Sequence, residues 1–170
     1  NEPVLLLLGD MIYESFEDRT CSRQLIDAYE ECGRTMISMQ TVPLNEVSRY
    51  GILCGKWENT DETILKVTSM IEKPDVSYAK DCLKVKTKSE GDQYYCAYGQ
   101  YVLTPEVFEA LEYNIDNNVM TKGEIQLTDA LDMVRERTGI RGFVFNGKVF
   151  DVGTPEMYRQ TITEFGKTSS

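Results

Sequence analysis

Histidine is absent from this chain of 170 residues. Its own side chains therefore cannot perform Ser–His or Cys–His nucleophilic catalysis. Zinc ligands are scarce for the same reason. The five cysteines, Cys21, Cys32, Cys54, Cys82 and Cys96, do not replace them, because no two stand in a CxxC spacing. An odd, unclustered set reads as reduced thiols of a cytoplasmic protein. Long apolar runs are missing too: none approaches the roughly 20 residues that cross a bilayer. The first apolar stretch has no basic region ahead of it and is too short for a secretory signal. Nor is there a basic stripe. With 18 Lys and Arg against 28 Asp and Glu, the net charge is −10, which argues against nucleic acid as a partner. Any chemistry must rest on carboxylates, lysine, a metal ion, or residues supplied from elsewhere.

What is present suits one domain, residues 1–170, with a hydrophobic fraction of 41% that can fill a core. Strand-like and helix-like segments alternate, which predicts an α/β layered fold. Val4 to Leu8 is continuously apolar, the pattern of a strand buried on both faces. Such a strand needs neighbours and helices on both sides, and the chain offers few. The expectation is that another segment, upstream or on a partner chain, covers it. Ser22 to Cys32 reads as a helix stopped by Gly33. Thr35 to Met39 reads as a strand, and Tyr50 to Lys56 with Glu62 to Ile71 as two strands joined by a polar turn. Asp75 to Asp92 is weakly patterned and reads as surface loop or short helix. Tyr94 to Leu103 resumes strand character. Thr104-Pro105 then opens a helix with Val107, Phe108 and Leu111 on its apolar face. Leu127, Ala130, Leu131 and Val134 keep helical spacing up to Gly139. The strand Gly142 to Phe145 continues through Lys148-Val149-Phe150. A last helix starts near Pro155, with Tyr158, Ile162 and Phe165 on one side.

Two aspartates end strands far apart in sequence: Asp10 after the first, Asp151 after the last. Ligands of open α/β sheets lie beyond the carboxyl ends of strands, and two carboxylates meeting there can share a hard cation. Each is also an ordinary turn residue. In Ile71-Glu72-Lys73-Pro74, Glu72 can accept from sugar hydroxyls and Lys73 can set a compact charge on a phosphate; a solvated strand end is the plainer alternative. Gly51 and Gly99 mark bulges or close approaches of backbone to a ligand. In Thr121-Lys122-Gly123-Glu124-Ile125-Gln126-Leu127-Thr128, Glu124 and Gln126 are either part of a helix entry, with Thr128 and Asp129 as caps, or sugar contacts.

The order of these motifs resembles bacterial UTP–glucose-1-phosphate uridylyltransferases, within the sugar-phosphate nucleotidyltransferases. The similarity runs from Glu2-Pro3 to about Tyr158. It includes Leu7-Leu8-Gly9-Asp10, Glu46-Val47-Ser48-Arg49-Tyr50-Gly51-Ile52, Ile71-Glu72-Lys73-Pro74, Gly99-Gln100-Tyr101-Val102-Leu103-Thr104-Pro105 and Phe150-Asp151-Val152-Gly153. The most specific part is Glu124-Ile125-Gln126-Leu127-Thr128-Asp129, which favours the uridylyltransferase branch over thymidylyltransferases. The resemblance implies a mixed sheet flanked by helices, the incomplete C-terminal part of a Rossmann-like nucleotidyltransferase domain without its N-terminal nucleotide-binding segment. It implies transfer of UMP from UTP to glucose 1-phosphate, giving UDP-glucose and pyrophosphate. By the same resemblance Asp10 and Asp151 hold Mg²⁺, Lys73 meets the sugar's phosphate, and Glu72 binds glucose hydroxyls. Gly51 and Gly99 let the sugar approach, with Tyr101, Glu124 and Gln126 as further pocket members. Homo-oligomers are usual in the family.

Two departures stand out. A second aspartate often follows the Gly-Asp pair, and here that residue is Met11. The Gly-rich nucleotide loop with its Arg and Lys, which opens the family's sequences, has no counterpart here, so UTP is expected to bind only together with that segment. The alternatives are a non-catalytic sugar-phosphate-binding or assembly module, and a pyrophosphorylase for another sugar or base. Without the loop, UTP phosphates lose their N–H cradle and cations. The purified chain, given Mg²⁺, UTP and glucose 1-phosphate, is therefore expected to form little or no UDP-glucose by chromatography; robust synthesis without an added partner would overturn this.

Overall fold

The computed structural model describes residues 2–121, 123–165 and 167. Its largest sheet has six strands in the order β1-β8-β3-β9-β5-β4. These are β1 (Val4–Leu7), β3 (Met36–Thr41), β4 (Gly51–Trp57), β5 (Ile64–Glu72), β8 (Tyr95–Leu103) and β9 (Arg141–Val144). β3 and β9 run parallel and the other pairs antiparallel, so the sheet is mixed. It also curls back on itself, because the first residues of β8 pair with β4, Tyr95 opposite Leu53 and Cys96 opposite Ile52. Two short ribbons complete the strands: β2 (Met11–Ser15) with β10 (Gly147–Asp151), and β6 (Val85–Thr87) with β7 (Gly91–Gln93).

Helices cover both faces, and strand alternation decides which residue faces which layer. On β3, Met36 packs with Leu25 and Ala28 of α1 (Cys21–Cys32). Its neighbour Ile37 joins the opposite core with Val107 and Ala110 of α3 (Pro105–Asp116) and Ala130, Leu131 and Val134 of α4 (Leu127–Arg137). α1 starts at the Thr20 hydroxyl, which accepts from Arg23 N, and stops at Gly33 in the left-handed conformation (φ 61°), as the sequence predicts. A third cluster packs Val47, from the turn Leu44–Arg49, and Ala79, from α2 (Val76–Cys82), on Ile52 and Cys96. α5 (Pro155–Glu164) closes the described chain.

Several expectations are corrected. Val4 to Leu8 is not buried on both faces. β1 is an edge strand paired only with β8, and Val4, Leu5, Leu7 and Leu8 are 45%, 37%, 50% and 40% exposed. Its apolar composition told of burial, but no neighbouring strand in this chain supplies it. Asp75 to Asp92 is not merely loop and short helix, for it also holds the β6–β7 hairpin. Phe108 of α3 is exposed, and the helix buries Ala110 and Asn114 instead. Thr104 sits at the N-cap, but its hydroxyl lies 2.8 Å from Thr35 Oγ1 and makes no cap bond. α4 begins after Gln126 with no side-chain cap, so Thr128 and Asp129 do not cap it. Tyr158, Ile162 and Phe165 are each about half exposed or more, and the Phe165 ring meets that of Phe150 edge to face.

The segment Gly142 to Phe150 is also not one strand. β9 belongs to the main sheet and β10 to the ribbon with β2. The corner between them is held by Gln24, a buried side chain of α1. Its Oε1 accepts from Asn146 N at 2.7 Å, while its Nε2 donates to Asn146 O at 3.2 Å and to Ser15 Oγ at 3.0 Å. One amide thus ends β9, turns the chain and ties the start of β10 to the end of β2. Losing it would leave the backbone N–H and C=O of Asn146 without these partners and empty the buried site of the Gln24 side chain. Gln24→Ala is expected to lower stability by about 2–3 kcal/mol, seen as a lower urea midpoint at unchanged slope; an unchanged midpoint would contradict this role.

Candidate functional site

The site grows from the β2–β10 ladder. Asp151 pairs opposite Met11 and Phe150 opposite Ile12. Asp10 is the residue just before Met11, so the register sets both aspartates at one end of the ribbon. Val152 N donates to Asp10 O at 2.9 Å, extending the ladder past them. A Cβ placed on Gly153 would lie 3.1 Å from Asp151 Oδ1 and 3.5 Å from Asp10 Oδ2, so both carboxylates converge on that point. Gly153 N donates to Asp151 Oδ1 at 2.8 Å, and the Tyr50 hydroxyl to Asp151 Oδ2 at 3.5 Å. These two donors orient the Asp151 side chain.

The cleft itself is opened by β8. Its first residues pair with β4 and its last with β1, and between them neither strand follows it. Gly99 lies at this parting with φ 60°, where its carbonyl accepts from Leu8 N at 2.8 Å. A Cβ there would stand 2.8 Å from the Tyr13 hydroxyl and 2.9 Å from Met11 Cγ. Glycine alone tolerates both the conformation and the approach of the β2 ribbon. The gap is a cavity of about 430 Å³ lined by Asp10, Asp151, Gly51, Glu72, Lys73, Gly99, Tyr101 and Gln126.

These are eight of the residues singled out in the sequence; Glu124 is not among the lining residues. Its carboxylate instead accepts from Gln126 Nε2 at 3.2 Å, because the Thr121–Glu124 bridge turns the chain before α4 begins. Gly51 pairs opposite Glu72 across β4 and β5, which aims the Glu72 side chain beside glycine backbone. Thr128 Oγ1 donates to Glu72 Oε2 at 3.4 Å, and Lys73 Nζ stands 3.8 Å from Glu72 Oε1. Lys73 takes φ 49°, unusual for a side-chain-bearing residue, and its N–H donates to Tyr50 O at 3.0 Å. Backbone strain of this kind clusters at functional sites. Thr128, Tyr50 and Arg49 also line the cavity. Their signal was adjacency: Arg49 and Tyr50 directly precede Gly51, and Thr128 follows Gln126 by two positions.

Among the described residues no three His, Cys, Asp or Glu cluster as a metal site. Two carboxylates beside a glycine still fit a hard cation that keeps waters and takes its remaining oxygens from phosphates.

The family model for nucleotidyl transferases matches residues 1–167. The chain belongs to the nucleotidyl transferase family. It is similar to UTP–glucose-1-phosphate uridylyltransferases, with 33% identity over 165 residues to that of Staphylococcus epidermidis and 30% over 167 residues to that of Streptococcus pneumoniae. Each alignment covers 97% of this chain but 51% and 50% of the relative, so the chain spans about half the length of the curated relatives it matches. In structure it resembles apo UDP-glucose pyrophosphorylase, with TM-score 0.81 and 27% identity over 100% of this chain and 56% of that one. It also resembles UDP-glucose pyrophosphorylase complexed with UDP-glucose, with TM-score 0.78 and 27% identity over 99% and 57%. The mixed sheet flanked by helices is that family's fold. No described helix is long and apolar enough to cross a membrane.

The phenols around the site have raised pKa values. Burial, the largest cause, pushes Tyr13, Tyr50 and Tyr98 above the ordinary 10.0, and neighbouring Glu72 adds to burial in taking Tyr101 to about 12. A raised value means that the folded state holds its protons more tightly than the unfolded one. This stabilisation is complete below pH 10, the unfolded value, and is lost as pH rises from there through the folded values. Urea midpoints measured from pH 8 to 11 are expected to hold level to about 10 and then fall, together with rising phenolate absorbance; a midpoint that stays level to pH 11 would contradict the burial.

Proposed function

We propose that this chain forms the sugar-phosphate side of a UTP–glucose-1-phosphate uridylyltransferase, residues 1–170 acting as one domain. The reaction would join glucose 1-phosphate to the uridylyl group of UTP and release pyrophosphate. What supports this reading is the meeting of Asp10 and Asp151 with Glu72 and Lys73 around one cavity, together with the family membership. The phosphate oxygen of the sugar attacks the α-phosphorus in line, so the protein's task is positioning and charge neutralisation rather than nucleophilic attack. A chain without histidine suits that task.

In this reading Glu72, steadied by Thr128, accepts from sugar hydroxyls, and the backbone at Gly51 and Gly99 allows the sugar ring to come close. Lys73 draws in the phosphate as a point charge. Tyr101 and Gln126 bound the pocket, with Glu124 acting through Gln126. Asp10 and Asp151 would hold Mg²⁺, which neutralises phosphate charge when bound. The nucleotide's own phosphates need the N–H groups and cations of a Gly-rich loop, a motif with no counterpart in this sequence, so turnover calls for a complementing segment. Homo-oligomerisation and a cytoplasmic location belong to the same reading.

The test is reconstitution. Mixed with an N-terminal half taken from a full-length relative, the chain is expected to make UDP-glucose from UTP and glucose 1-phosphate. Asp151→Asn should lower that rate by about a hundredfold or more, in line with loss of a principal electrostatic group. Unaltered turnover in Asp151→Asn would remove the metal role, and no turnover from the native mixture would leave the chain a binding module.

A further inference from the structure

Arg49 ends the short helical turn before Gly51, and it borders two cavities at once. One is the 430 Å³ cleft; the other, of about 760 Å³, lies against Phe150 and α5. The wall common to both is Arg49, Tyr50 and Asp151. The guanidinium stands 5.5 Å from the centre of the Tyr50 ring, whose hydroxyl reaches Asp151.

Its donors are weakly engaged. Nη2 donates to the thioether sulfur of Met157, a poor acceptor. The nearest carboxylate, Glu46 Oε2, is 3.7 Å away, and both side chains are partly exposed, so that ion pair contributes little. A fork of five N–H groups matched to phosphate oxygens is thus held at the cleft by partners that phosphate would readily displace.

Charge in the cleft calls for such a group. Its lining includes Asp10, Glu72 and Asp151 against Lys73 and Arg49, and Lys73 already faces Glu72 at 3.8 Å. Even with Asp10 and Asp151 balanced by the cation that the sugar-phosphate reading gives them, a phosphate dianion meets Glu72 and a single lysine that Glu72 already shares.

We propose that Arg49 is a second cationic ligand of the substrate's phosphate, exchanging Met157 sulfur for phosphate oxygen when the substrate enters. The proposal rests on the sugar-phosphate reading and deepens it: what Arg49 selects is a phosphate ester, not the sugar ring.

The chain, with Mg²⁺ present, is titrated calorimetrically with inorganic phosphate, glucose 1-phosphate and glucose. Arg49→Gln is expected to bind both phosphate compounds about tenfold more weakly, the effect of losing a charge-assisted bond at a partly exposed site, and glucose as before. Arg49→Lys should recover part of the loss, which separates charge from folding. Equal affinities of Arg49→Gln and native chain for both anions would overturn the proposal, as would an equal loss for glucose or a native chain that binds no phosphate. A native chain that binds phosphate through Arg49 yet prefers glucose 1-phosphate no better than phosphate would sink the sugar-phosphate reading and leave Arg49 assigned.

Discussion

The antiparallel register of β2 against β10 is the constraint on which the site depends. It sets Met11 opposite Asp151 and so brings together two carboxylates 141 positions apart in the chain. Side chains alternate along a strand, so a slip of one residue would turn Asp151 to the other face. The register is fixed at the far end of the ribbon by the Gln24 amide, which grips Asn146 and Ser15. At the near end it is fixed by the bond from Val152 N to Asp10 O. A buried helix residue with no chemistry of its own thus sets where the acidic pair sits.

The second requirement is space, and glycine supplies it. β8 changes partner from β4 to β1 along its length, and the left-handed Gly99 at that change lets the ribbon lean in. The same parting of strands leaves room for the cleft between β1 and β4. Gly153 leaves the spot between the two carboxylates free. The site therefore combines rigid strand ends, which aim Glu72 and Asp151, with backbone positions that carry no side chain.

Much of this was legible in the chain as written. α1 and its Gly33 stop and the hairpin of β4 and β5 follow from periodicity and capping, while the residues around the cleft came from the resemblance of their motifs to the family. The errors share a cause. Apolar content in Val4 to Leu8 reports that a strand avoids water, but not which strands lie beside it, and here one side is open. The turn at Asn146 is dictated by Gln24, 122 positions away, so Gly142 to Phe150 read locally as one strand. β2 was unread because a ribbon of five residues, Met11–Ser15, gains its meaning only from its partner. The motif at Glu124 could not show that its carboxylate meets Gln126 while Gln126 lines the cleft.

The sequence by itself determined which chemistry is excluded, since a chain with no histidine cannot supply Ser–His or Cys–His catalysis and leaves carboxylates, lysine, a metal ion or residues supplied from elsewhere. It also determined most local elements, because these depend on residues within a few positions of one another. Only the tertiary structure decided that Asp10 and Asp151 meet, that Arg49 and Tyr50 border the same cleft, and that β1 lies at an edge. Those facts depend on strand order and register, which arise from packing between segments distant in the chain and leave no local signature.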